Sequence, residues 1–161
     1  MGSLSVENVS RHLAAFGFDG RVRLFTESSA TVELAAQVLG VIPARIAKSL
    51  SFRSPSGALL IVAAGDAKID NRKFRDKFGF KAKMPSADEV VDLVGHPVGG
   101  VCPFAVNEGV EVYLDSSLQR FQTVFPAAGS PSSAVELSCD ELFLSSQAKE
   151  WVDVCKLPEI D

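Results

Sequence analysis

Two stretches of this chain carry residue types that could act on a substrate bearing negative charge. In Gly95-His96-Pro97-Val98-Gly99-Gly100-Val101-Cys102-Pro103-Phe104, paired glycines lie between apolar neighbours, with a proline on either side. Glycine lacks the Cβ that would block a ligand's approach, and its torsions let peptide N–H groups converge on one oxygen. A β-bulge or a tight strand bend would have the same composition. The second stretch is Ile46-Ala47-Lys48-Ser49-Leu50. Lys48 is expected at the junction between a short helix, starting at Pro43 and ending near Ala47, and the strand 49–52. Its ammonium either eases the negative end of that helix and stays in water, or reaches a ligand's oxyanion while Ile46, Ala47 and Leu50 hold its stem.

Other chemistries find less support. Cys102 lies in the glycine stretch, yet neither His12 nor His96 comes with an evident orienting partner, so a cysteine nucleophile is disfavoured. Cys102, Cys139 and Cys155 are odd in number and far apart, which points to reduced, structural thiols and to no metal site. The spacings G-x-G-x-x-G and G-x-x-x-x-G-K are absent, which argues against nucleotide-cofactor and phosphate-loop chemistry, and no cofactor is expected.

The elements that must position these residues follow from periodicity and punctuation. Val6, Val9, Leu13 and Phe16 recur at helical spacing after Ser5, a candidate cap, and Gly17 ends the run; His12 beside the stripe reads as a partly covered structural histidine. Residues 21–25 alternate as a half-buried strand, and Ser28 and Ser29 offer a cap for a helix from about Ala30 to Leu39, closed by Gly40. Ser54-Pro55-Ser56-Gly57 is a turn into the unbroken apolar run 58–64, the expected centre of the sheet. Asp70 should cap a helix from Asn71 to about Phe78, with Phe74 and Phe78 facing inward and Gly79 as the stop. Ser86 and Glu89 have capping-box spacing and predict a helix from Ala87 to about Val94 that feeds the glycine stretch. Strands are expected at 110–114, 123–125 and 134–137, separated by a turn or short helix from Asp115 and by a small-residue loop, 127–133. A second capping box, Ser138 and Glu141, leads to a weakly amphipathic tail carrying Trp151 and Val154. Irregular mixing of strands and short helices predicts an α+β fold, a mixed, curved, barrel-like β-sheet surrounded by short helices, in a single domain, 1–161.

Four segments together, Ile46-Ala47-Lys48-Ser49-Leu50, Val98-Gly99-Gly100-Val101-Cys102-Pro103, Val112-Tyr113-Leu114-Asp115, and Ala128-Gly129 followed by Val135-Glu136-Leu137, resemble the YbaK/EbsC family. That family includes the bacterial prolyl-tRNA synthetase editing domain and its free-standing relatives. The resemblance runs from Thr26-Glu27 to about Leu142. It implies a trans-acting deacylase that hydrolyses the ester between a wrong amino acid and the terminal adenosine of a tRNA, either tRNA(Pro) or another tRNA carrying a small wrong residue. The implied catalytic residues are Lys48, Gly99, Gly100 and Val101, with Ser49, Val98, Pro103, Ala127, Ala128, Gly129 and Ser130 around the substrate. Two departures alter the polarity of the pocket. Relatives acting on cysteinyl-tRNA have a serine in the second loop and an aspartate before the Val-Glu-Leu strand, where this chain has Ala127 and Ala134; Ser130-Pro131-Ser132-Ser133 replaces a basic, glycine-containing segment.

Composition limits the partners. The chain has 161 residues, 47% hydrophobic and 22% charged, with a formal net charge of −4, so any nucleic-acid contact must be confined to one face. Lys68, Arg72, Lys73, Arg75, Lys77, Lys81 and Lys83 crowd one segment against Asp70 and Asp76, and the first five are the candidate tRNA contacts; a merely solvated helix face would look the same. An aminoacyl-tRNA synthetase is a further candidate partner. No apolar run is long enough to span a membrane, and a cytoplasmic location is expected. Two rival readings remain open, a non-catalytic tRNA- or synthetase-binding module and a small-molecule esterase.

Overall fold

The computed structural model describes residues 4–27, 31–97 and 100–158. Helix α1 (Leu4–Ala14) places Val9 and Leu13 in the core, fully buried. Ser5 is not its cap, because the helix has already begun at Leu4, and its hydroxyl is spent elsewhere. Strand β1 (Val22–Leu24) is followed by α2 (Val32–Leu39). Thr31, rather than Ser28 or Ser29, caps α2 by accepting from the Leu34 N–H, and the start expected at Ala30 falls with those serines outside the described residues. Gly40 ends α2 in the left-handed region, φ 72°, as its position suggests.

Pro43 opens only a three-residue 3-10 turn (Pro43–Arg45), so β2 (Ile46–Ser54) starts three residues earlier than expected and Lys48 lies inside the strand. A two-residue turn at Pro55-Ser56 leads into β3 (Gly57–Ala64), in which residues 58–64 are all buried. The short β4 (Lys68–Ile69) precedes α3 (Asn71–Phe78), where Asp70 accepts from the Arg72 and Lys73 N–H groups. Helix α4 (Ala87–Val94) has the full Ser86/Glu89 capping box.

The second half of the chain gives β5 (Glu111–Asp115), a 3-10 turn (Ser116–Arg120), β6 (Thr123–Pro126), β7 (Ser133–Val135) and β8 (Leu137–Ser138). The single strand expected at 134–137 is thus split, and its halves pair with different partners: β7 with β1, β8 with β6. Helix α5 (Cys139–Ser146) carries the second capping box. The tail is not helical; it forms β9 (Trp151–Val152) and β10 (Cys155–Lys156).

Six strands make one curled mixed sheet, ordered β8-β6-β2-β3-β5-β9. The β2–β3 hairpin at its centre is antiparallel, with Lys48 opposite Ala63 and Ser51 opposite Leu60, while β6 and β5 flank it in parallel. Asp115, 1% exposed, ties the end of β5 to its surroundings by accepting from the Ser117 and Val154 N–H groups, and the Ser117 hydroxyl in turn accepts from the Ala64 N–H. Phe74 of α3 packs on Phe52 and Phe78, with ring centroids 4.9 and 4.7 Å apart. Leu60 is fully buried on the central strand. Leu60→Ala should destabilise the fold by about 2–5 kcal/mol, read as a lower denaturant midpoint with unchanged slope.

Candidate active site

A cavity of about 390 Å³ opens beside β2. Ile46, Ala47, Lys48, Ser49 and Ser51 of β2 form one wall; Val32 and Ala35 of α2, Ala87 and Val90 of α4, and the connecting Met84-Pro85 supply others. Val101, Ala127 and Ala134 close the remaining side. The cavity therefore joins the Lys48 strand, the exit of the glycine stretch and the second small-residue loop. Its lining is mostly apolar and small. Ser49 introduces a polar exception, because its hydroxyl is buried without a hydrogen-bond partner among the described residues.

The Lys48 ammonium donates to the carbonyls of Gly65 and Ala67. An ammonium has three N–H donors, so two carbonyls fix its position and one donor remains. Burial lowers its pKa from the ordinary lysine value, against the pull of Cys155, Asp66 and Glu33. Gly65 is sterically required here: a Cβ on it would collide with the Pro43 carbonyl oxygen and lie 2.7 Å from Val32.

Val98 and Gly99 lie outside the described residues, so the glycine stretch is seen on both sides of them. Gly100 is buried, and its N–H donates to the Pro97 carbonyl at 3.0 Å. A Cβ on Gly100 would sit 2.7 Å from the N and Cα atoms of Ser130 and 2.8 Å from the Gly129 carbonyl carbon. The two loops are therefore in backbone contact. Gly129, at φ 103°, is pressed in its turn on Ser5, whose carbonyl oxygen would meet a Cβ at 2.8 Å. The Ser133 hydroxyl, itself buried, accepts from the Ala128 and Ser130 N–H groups and holds the second loop closed. Pro103 and Ala128 are buried and do not line the cavity, nor do Gly129 and Ser130; Ala127 and Val101 reach it.

His96 has the partners that its sequence context did not reveal. The Ser5 hydroxyl donates to Nδ1 at 2.5 Å, and Nε2–H donates to the Phe104 carbonyl at 2.6 Å, a carbonyl being able only to accept. This bond crosses the neck of the loop 97–103. Burial lowers the His96 pKa, which keeps the ring neutral. Cys102 Sγ lies 3.6 Å from the same Nε2, but that nitrogen carries its proton toward Phe104 and cannot serve as base. Burial pushes the Cys102 thiol up to about 12, so a thiolate nucleophile has no support here. His12 is structural, its Nε2 bonded to the Ser145 carbonyl at 2.6 Å.

The basic segment divides in two. Lys73 pairs with Asp153 at 3.1 Å and Lys77 with Glu150 at 2.6 Å, which pins one side of α3 to the C-terminal segment. Arg72 and Arg75 are exposed and make no ion pair among the described residues; they share a second hollow with Lys81. Lys68 lies on the β4–β10 ribbon. Among the described residues no group of three or more His, Cys, Asp or Glu could hold a metal, and no helix is long and apolar enough to cross a membrane.

Several cavity residues carried no signal in the sequence. Val32, Ala35, Ala87, Val90 and Met84 are ordinary members of amphipathic helices and a connector, and only the curl of the sheet brings them opposite β2.

Several known proteins are similar to this chain in sequence or in structure. The uncharacterized protein YwhH of Bacillus subtilis (strain 168) is 55% identical over 154 residues, covering 95% of this chain and 98% of that protein. A proline–tRNA ligase of Thermosipho melanesiensis is 25% identical over 135 residues, which cover 83% of this chain but 23% of the ligase. The crystal structure of a candidate trans-editing enzyme for prolyl-tRNA synthetase superposes with a TM-score of 0.86 at 30% identity, over 96% of this chain and 98% of that one. Residues 26–143, which include β2, the glycine stretch and the second loop, match a family described as the aminoacyl-tRNA editing domain, and the chain belongs to that family.

Proposed function

We propose that this chain, acting as one domain in the cytoplasm and without a cofactor, hydrolyses in trans the ester that joins a wrong, small amino acid to the terminal adenosine of a tRNA, tRNA(Pro) being the first candidate. The observation that supports the reading is Lys48 itself: the residue belongs to the wall of a cavity shared with Val101 and Ala127, and its ammonium is held by two carbonyls with one donor left. An ester needs no strong nucleophile. Water adds to the carbonyl carbon, the oxygen of that carbonyl becomes negative, and collapse breaks the bond to the ribose oxygen, which takes up a proton. In this reading the Val101 N–H and the Lys48 ammonium stabilise the negative oxygen, while the Gly100 N–H, taken by the Pro97 carbonyl, holds the bend that presents Val101. Such donors act strongly where water is excluded. The neighbouring ribose hydroxyl of the substrate orients the water, in keeping with a cavity that offers no His/Asp pair among its described residues.

The small apolar wall formed by Ala35, Ala47, Ala127 and Ala134 faces the amino-acid side chain. Apolar pockets separate substrates by about 1–3 kcal/mol per methylene, so overlap among small amino acids is expected. Ala134→Leu should narrow the cavity and lower kcat/KM for the largest accepted acyl group by roughly 10- to 200-fold, with a smaller effect on the smallest, measured by single-substrate deacylation rates.

The decisive experiment is a deacylation screen across several mischarged tRNAs, with free amino-acid esters alongside. Release of a small amino acid from tRNA, without comparable cleavage of the free esters, is the expected result. Salt-dependent tRNA binding with no deacylation anywhere in the panel would replace the hydrolase with a binding module.

A further inference from the structure

The outward side of α3 is built differently from the side that faces the C-terminal segment. Phe74 points into the core and Phe78 packs beside it, while Lys73 and Lys77 are tied to Asp153 and Glu150. Arg72 and Arg75 project from the remaining face with no acid paired to either among the described residues, and with Asn71, Lys81 and Ala82 they line a hollow of about 570 Å³. Asp76 is the one acid in that lining. Three cations against one acid stand out on a chain whose formal net charge is −4.

The chain itself gives the distance from this hollow to the cavity. Lys81 and Met84 are three residues apart on an irregular connector, and Met84 lines the cavity. Consecutive Cα atoms are about 3.8 Å apart, so the two backbones are within about 11 Å of each other. The connector does not drift, because the Arg53 N–H of β2 donates to the Lys83 carbonyl at 2.8 Å and the Arg53 guanidinium pairs with Glu89 at the start of α4. A nucleic-acid strand carries a phosphate every few ångströms along its length, so a strand that ends in the cavity and leaves it past Met84 brings its next phosphates over this hollow.

We infer that Arg72, Arg75 and Lys81 form a phosphate seat for the nucleotides adjoining the terminal adenosine, so that the single-stranded end of the tRNA is held beside the ester-binding cavity. This inference rests on the deacylase reading for its choice of RNA. Guanidinium groups suit phosphate because their planar forks bond two oxygens at once. The contact reads backbone charge and not base identity.

The test compares wild type with an Arg72→Glu/Arg75→Glu double variant in two assays. In the first, an RNA minihelix with a single-stranded 3′ end is titrated by fluorescence anisotropy at several salt concentrations. The variant should bind at least about tenfold more weakly, with a log Kd against log salt slope shallower by about 1 for each phosphate that is no longer neutralised. In the second, kcat/KM for aminoacyl-tRNA should fall mainly through KM, while hydrolysis of aminoacyl-adenosine, which lacks those phosphates, stays at the wild-type rate and serves as the folding control. An unchanged salt slope overturns the seat even if the wild type is an active deacylase. RNA binding that depends on these arginines in a protein that cleaves no ester would overturn the hydrolase and leave the seat in place.

Discussion

Lys48→Ala should reduce kcat/KM for deacylation of a good misacylated substrate by roughly 10²- to 10³-fold, the usual cost of removing one preorganised donor from a developing oxyanion. The reason lies in how the ammonium is held. The Gly65 and Ala67 carbonyls take two of its donors, so the charge is fixed before substrate arrives, on a strand residue that belongs to the cavity wall. Lys48→Arg should not restore activity. A guanidinium is planar and larger, and it cannot meet two carbonyls packed around a compact ammonium and still aim a donor along the same line. The pH dependence follows from the direction of the pKa shift. Because burial lowers the Lys48 pKa, the amine loses its proton at a lower pH than an ordinary lysine, so deacylation, corrected for spontaneous ester hydrolysis, should begin its alkaline decline below the usual lysine range. Circular dichroism of the alanine variant serves as the folding control, since two carbonyls lose their donor. A folded Lys48→Ala protein that hydrolyses at the wild-type rate would remove the central residue from the mechanism.

How much of the fold and site is legible in the sequence depends on how local the determining physics is. The apolar run 58–64, the Asp70 cap and both capping boxes reproduce in the structure because each is settled within a few residues by burial or by a helix end. Local rules place Lys48 at a helix end because Pro43 does start a helical turn; three residues of 3-10 geometry satisfy that proline, and pairing with β3 takes over at Ile46–Ala47. Trp151-Val152 and Cys155-Lys156 are too short to display any period, and their strand character comes from β5 and β4, the partners they dock on. The Ser5–His96 bond joins residues 91 positions apart, so no spacing rule could find it. The glycine pair reads in the sequence either as ligand-facing backbone or as a bend. For Gly100 the structure adds a third element, close packing of one loop against another.

That packing makes Gly100→Ala a damaging addition of a single methyl group. The backbone of Gly100 is not in the left-handed region, so alanine carries no torsional penalty there and the whole effect is collision. The added carbon would meet Ser130 N and Cα at 2.7 Å and the Gly129 carbonyl carbon at 2.8 Å, all backbone atoms that no rotamer change can move aside. The second loop has little room to retreat, since Gly129 already lies against the Ser5 backbone and Ser133 fastens Ala128 and Ser130 from within. Yielding therefore falls to the loop 97–103, whose neck is tied by His96 to Phe104, and its N–H groups must shift relative to Lys48. Overpacking of this kind costs about 1–3 kcal/mol of stability. A displacement near 1 Å at a reacting centre costs roughly 10² in rate, so deacylation should fall by about that factor or more while the melting temperature drops by several degrees. Gly20→Ala is the matched control, because a Cβ there meets nothing within 4 Å, and it should leave both quantities unchanged. If Gly100→Ala turned over at the rate of the Gly20 control, the glycine stretch would have no part in holding the oxyanion.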